Sequence, residues 1–149
     1  MPEIDEIAKV ILAARRKRFL FSRPLFKRYA PVSEAELFQL ANRLHFKFIV
    51  ELSRWLLMAG YGEIGGSLIF QEGRFSIIDW DPLKGFVSFA KDISGYRFAF
   101  NPKDESIYCI HPSEHAFVHI ADNFSSFLRE LIQHDYHVKE WVSTLPYSR

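Results

Sequence analysis

Phe86-Val87-Ser88-Phe89-Ala90-Lys91-Asp92-Ile93-Ser94-Gly95-Tyr96-Arg97-Phe98-Ala99-Phe100-Asn101 decides the fold. Apolar residues recur with a period near two on both sides of Ile93-Ser94-Gly95. That pattern predicts strands over 86–91 and 96–101 joined by a tight turn. The same grammar runs outward. Strands are predicted over 67–71, 74–80, 106–111 and 115–121. Their connectors are Glu72-Gly73, Asp81-Pro82-Leu83-Lys84-Gly85, Pro102-Lys103-Asp104 and Pro112-Ser113-Glu114. Connectors this short imply antiparallel neighbours, because a parallel crossover needs a dozen or more residues. Asp122-Asn123 then caps a last helix over about 123–135, with Phe124, Phe127, Leu128, Leu131 and Ile132 as its buried stripe.

Upstream the period is helical. Ile4, Ile7, Val10, Ile11 and Ala14 predict a helix over 3–18, with Glu3, Asp5 and Glu6 in the first turn and Arg15-Arg16-Lys17-Arg18 in the last. Arg23-Pro24 and Ala30-Pro31 interrupt any helix there. Ser33 with Glu36 three residues on reads as a capping box, and Leu37, Leu40, Ala41 and Leu44 form the stripe that follows. A second helix is expected over 46–59, ended by Gly60, and Tyr61–Gly66 is expected to be a loop. The fold class is therefore α+β. N-terminal helices pack on a mostly antiparallel six-stranded sheet, closed by a C-terminal helix. One domain spans 1–149, with a helical extension over 1–30 and a core over 33–135.

Composition supports a packed domain. The 149 residues are 48% apolar and 25% charged, and 15 of them are Phe, which fills cores without a polar tip to satisfy. Cys109 stands alone, so no internal disulfide can form. The start, Met1-Pro2-Glu3-Ile4-Asp5, lacks a charged-then-apolar leader, and no apolar run reaches membrane-spanning length. A cytoplasmic location, away from membranes, is expected. Net charge is uneven: residues 1–50 carry ten Lys/Arg against five Asp/Glu, and residues 51–149 carry nine against thirteen.

Several patterns that carry chemistry elsewhere have structural readings here. His111, His115 and His119 are spaced by four, but 115–121 alternates like a strand, with His115, Phe117 and His119 on one side. Extended backbone holds His115 and His119 about 13 Å apart at ~3.3 Å per residue, too far for one ion. Gly60, Gly62, Gly65 and Gly66 follow a helix and precede a strand, the reverse of a nucleotide-binding loop. Cys109 lies mid-strand, where packing is the ordinary role. Asp79, Asp81 and Asp92 sit at strand ends, where carboxylates usually shape turns. No cofactor, metal or catalytic group is assigned. The basic run 15–18 with Phe19, Phe21 and Lys27-Arg28 nearby is the best nucleic-acid signal, since cations hold phosphates and aromatics stack bases. An isoelectric point near 7.9 opposes it.

The order of these features resembles the SUKH superfamily, and within it the Smi/Knr-type group. The resemblance rests on the helix end Trp55-Leu56-Leu57-Met58-Ala59-Gly60-Tyr61-Gly62, the Gly65-Gly66 turn, and the hairpin Phe89 to Asn101. It continues through Ile107-Tyr108 and Ile120-Ala121-Asp122-Asn123-Phe124-Ser125-Ser126-Phe127-Leu128. It covers about two thirds of the chain. Three places depart from the family pattern. Leu44-His45-Phe46 replaces a Leu-Pro, Gly95-Tyr96 replaces a Gly-Asp, and Asn101 replaces an Asp. The resemblance implies a non-enzymatic protein-binding role through the sheet and its loops. Bacterial members serve as immunity proteins that neutralise toxin domains, frequently nucleases. A yeast relative acts as an interaction protein in cell-wall synthesis, which leaves an adaptor or regulator of envelope synthesis as the alternative. The expected partner contacts are Asp79, Trp80, Asp81, Asp92, Tyr96, Arg97, His115 and His119.

Overall fold

A computed structural model describes residues 2–18, 20–113 and 115–148; Met1, Phe19 and Glu114, named above, lie outside them. The first helix, α1 (Pro2–Ala13), is shorter than its stripe predicts. Ile4, Ile7, Ala8 and Ile11 are buried against the later helices, whereas Val10 is 54% exposed. The basic run does not continue the helix. It forms β1 (Arg15–Arg18), paired in a hairpin with β2 (Phe21–Pro24). Arg15 uses its side chain inside the hairpin, donating to Ser22 Oγ at 2.8 Å and Ser22 O at 2.7 Å.

The Pro-flanked stretch after the hairpin is also a strand, β3 (Phe26–Ala30). Then come α2 (Glu34–Leu44) and α3 (Val50–Ala59). The predicted capping box is present: Ser33 Oγ accepts from Glu36 N at 3.2 Å, and Glu36 Oε1 accepts from Ser33 N at 3.1 Å. Such a cap contributes about 1 kcal/mol. α3 begins four residues later than expected, because Phe46 and Phe48 leave the helix to pack on Phe75. Gly60 ends α3 at φ 80°. Arg28 on β3 reaches over to donate to the last carbonyls, Ala59 O at 2.7 Å and Met58 O at 3.1 Å.

The expected loop after Gly60 is instead β4 (Tyr61–Ile64), paired to β3. Gly62 is required by this pairing, not by a turn: a Cβ there would strike the Lys27 carbonyl and sit 2.6 Å from the Phe26 ring. Gly65 and Gly66, both at positive φ, turn the chain into β5 (Leu68–Phe70). A 3₁₀ turn at Glu72–Arg74 precedes β6 (Ser76–Ile77), so the strand predicted over 74–80 shrinks to two residues. β7 (Val87–Asp92), β8 (Arg97–Phe100), β9 (Ile107–Ile110) and β10 (Phe117–Ala121) match the predicted strands closely. α4 (Phe124–Gln133) is capped by Asn123, as expected, and a short α5 (Val138–Val142) follows. The class is α+β, as predicted. The main sheet is antiparallel and eight-stranded, in the order β10-β9-β8-β7-β5-β4-β3, with β6 also on β7. It is wider than expected because β3 and β4 join it.

Helices cover one face. Trp55 packs on Phe26 and Phe70, and the aromatic cluster continues through Phe89, Phe98, Phe124 and Phe127. Among the described residues, eight Phe are buried and build the core. Each contributes about 1.5–3 kcal/mol by burial. Glu51 of α3 is buried at the start of α4, accepting from Ser125 N at 3.0 Å and from Ser125 Oγ. A carboxylate there meets the positive end of the helix dipole. Arg54–Asp5 and Arg129–Glu3 tie α1 to α3 and α4. Among the described residues, no helix is long and apolar enough to cross a membrane.

Candidate functional site: the helix-free face of the sheet

Strand register defines the other face. Lys27, Glu63, Ile69, Lys91, Arg97, Ile110 and Phe117 are successive cross-strand partners from β3 to β10. Ser76, Ser88, Ala99, Tyr108 and His119 form the neighbouring row. The loop between β6 and β7 folds over this face. Ile78 and Leu83 from that loop bury themselves against Ala99 and Ile110 in a small second core.

Aromatic side chains line the edge of this second core. Trp80 stacks on His115 with ring centres 4.2 Å apart and planes 1° from parallel. Phe117 lies 6.4 Å from Trp80, Tyr108 lies 6.3 Å from Phe117, and Phe86 lies 5.2 Å from Tyr108. All four, Trp80, Phe86, Tyr108 and Phe117, are half-buried. Exposed carboxylates border them: Asp79 and Asp81 on either side of Trp80, and Asp122, whose Oδ1 is 3.2 Å from His119 Nε2. Asp104 belongs to the same rim. Hydrogen bonds from the Ser106 hydroxyl and amide hold its carboxyl below the usual range, with His119 adding to the effect.

Five of the eight predicted contacts, Asp79, Trp80, Asp81, His115 and His119, fall in or beside this patch. Arg97 lies farther along the same face, half-buried, with Nε donating to Ser88 Oγ at 3.3 Å. Asp92 and Tyr96 are not surface groups. Asp92 is 1% exposed and closes the β7–β8 turn, its Oδ1 accepting from Tyr96 N at 2.8 Å. Tyr96 is 8% exposed and packs on His111 and Tyr147. Nearby Cys109 is fully buried beside the Tyr147 hydroxyl, and burial pushes its thiol up to about 12. That is the packing role expected for it.

The three histidines of the four-residue spacing have separate surroundings: Tyr96 and Tyr147 for His111, Trp80 for His115, Tyr108 and Asp122 for His119. Sequence reasoning missed Phe86 and Tyr108. Alternation had already placed Phe117 beside the histidines, but Tyr108 joins them only through β9–β10 register.

A second surface lies at the opposite edge of the sheet. Arg16, Lys17, Arg23 and Lys27 surround a groove of about 810 Å³, together with Glu63, Asp135 and His137. Arg16 donates to Asp135 O at 3.0 Å. Comparison with protein-family models, curated proteins and solved structures finds no match.

Proposed function

We propose that this chain is a non-enzymatic protein-binding domain of the immunity type, which holds a toxin domain, of nuclease type, through the Trp80-centred patch. The carrying observation is the set of half-buried aromatics on a helix-free face, bordered by Asp79, Asp81, Asp104 and Asp122. Aromatic anchors surrounded by polar residues are the usual energetic centre of a protein interface. The acidic border suits a basic partner, as nucleic-acid-cutting domains are, and complementary charge raises the association rate. The sequence resemblance described above points to the same role.

The test is co-expression and co-purification with the products of the neighbouring genes, among which this reading expects a toxin domain. Protection from the toxin is expected, and Trp80→Ala should weaken binding by roughly 2 kcal/mol, about thirty-fold. Equal binding by Trp80→Ala would remove the patch from consideration. Recovery of envelope-synthesis proteins, with no protection, would favour the adaptor role.

A second reading has its own observation, the convergence of Arg16, Lys17, Arg23 and Lys27 on one groove. Such a groove suits a nucleic-acid backbone. Binding there should weaken steeply with salt, because phosphate contacts release counterions. Salt-independent affinity would exclude it.

A further inference from the structure

Lys91 and Arg97 break a rule of sheet construction. They are direct cross-strand partners on the helix-free face, and like charges placed opposite one another destabilise a sheet. A third cation, Arg74, joins them from the 3₁₀ turn. With Gly73, Ser76 and Ser88, these side chains line a pocket of about 170 Å³.

The acids that would ordinarily relieve this repulsion are engaged elsewhere. Among the described residues, no carboxylate lies within ion-pair distance of Arg74, Lys91 or Arg97. Glu63 shares their cross-strand row, but Ile69 separates it from Lys91 and the Tyr29 hydroxyl donates to it. Glu72, in the same turn as Arg74, faces Arg43 at 3.7 Å. Arg97 is also partly desolvated, and burial holds its guanidinium below the ordinary arginine range. Its one hydrogen bond among the described residues goes to Ser88 Oγ, and Ser88 is itself buried. The remaining guanidinium N–H groups are available to the pocket.

We propose that Arg97, Lys91 and Arg74, with the hydroxyls of Ser76 and Ser88, form a binding site for a phosphate group. Guanidinium presents a planar fork that matches two oxygens of a tetrahedral oxyanion, while ammonium acts as a compact charge. Hydroxyls donate to the remaining oxygens. A dianion here converts a three-cation repulsion into attraction, which explains how the fold accommodates Lys91 opposite Arg97. The glycine at position 73 leaves the pocket wall without a side chain. The inference does not rest on the protein-binding role, since Trp80 is no part of the pocket.

Amide chemical shifts of the full chain, followed during titration with inorganic phosphate, test it. Shifts at Gly73, Ser76, Ser88 and Arg97 are expected to saturate. Arg97→Gln and Lys91→Gln should each weaken binding at least ten-fold, and Trp80→Ala should leave it unchanged. Each Gln variant should also melt higher than the parent in phosphate-free buffer, because one repelling charge is gone. Where Arg97→Gln does not fold, Lys91→Gln and Ser88→Ala carry the test. Phosphoserine serves as a second probe: tighter binding than inorganic phosphate assigns a monoester, equal binding assigns the free ion, and both support the site. Shifts confined to Arg16, Arg23 and Lys27, equal binding by the Gln variants, or an acetate response as large as that to phosphate would each overturn the proposal.

Discussion

The two ends of the sheet use charge differently. At the β3 end, three of the cations are engaged by the fold itself. Arg15 bonds Ser22, Arg16 bonds the Asp135 carbonyl, and Arg28 bonds the last carbonyls of α3. At the β10 end, around a patch of half-buried rings, Asp104 and Asp122 have close partners, and Asp79 and Asp81 have none among the described residues. Four cations from residues 1–50 thus gather at one edge and four acids from residues 51–149 at the other. A run of like charges is weak evidence of a binding surface when backbone carbonyls already engage it. Exposed carboxylates around rings that the fold does not fully bury are stronger evidence.

The largest effect is expected where the two ends meet in one core. Phe89 packs on Phe70 toward one side and on Phe100 and Phe127 toward the other. Phe89→Ala should cost about 3–5 kcal/mol. Hydrogen exchange should then report equal loss of protection in β4 and β9. Survival of one end alone would mean that the sheet is not one cooperative unit. The next largest effect separates the roles of the ends. Trp80→Ala should lower partner affinity by roughly 2 kcal/mol while changing the urea midpoint much less.

At the basic end the order should reverse. Arg28→Ala should lower stability by roughly 0.5–1 kcal/mol through loss of the α3 cap. Arg23→Ala, which the fold does not use in a hydrogen bond among the described residues, should stay within about 0.5 kcal/mol. Urea denaturation of both variants checks this. Equal losses would show that capping is not what distinguishes Arg28.

The smallest effects concern pH, and their signs differ between the ends. Burial, reinforced by a hydrogen bond to Glu63, raises Tyr29 from 10.0 to about 12. Its contribution is complete below pH 10 and is lost as pH rises toward 12. Asp104 is held below its ordinary value of 3.8, so its contribution is present above that pH and is lost on acidification below it. Tyr29→Phe should therefore flatten the alkaline limb of a melting-temperature profile, and Asp104→Asn the acid limb. Exchange of these assignments would contradict the stated causes.

Local signals were the ones legible in the sequence. Ser33 with Glu36, Asn123 and Gly60 act within a few residues of themselves, and each performs its expected role. Strands β7 to β10 alternate clearly because one face meets the helical core. Strands β3 and β4 were not legible, since Phe26–Ala30 sits between prolines and Tyr61–Ile64 carries a glycine. The β3–β4 pairing joins residues more than thirty apart in sequence, and pairing at that distance leaves no local trace. At the site, Trp80, His115 and His119 were found because strand ends usually reach solvent. Asp92 and Tyr96 occupy a strand end too, yet the Asp92 carboxylate turns inward to its own hairpin amide. Lys91 opposite Arg97 needed the register, which alternation alone cannot supply.

Gly62 gives the basic groove a property that no charged residue supplies. The Lys27 carbonyl stands where a methyl group would be, so the position of the edge strand is written in a missing atom. Any side chain at position 62 would force β3 outward, taking Lys27 with it and away from Glu63. The spacing of charges along that wall is therefore inherited through a residue with neither charge nor side chain.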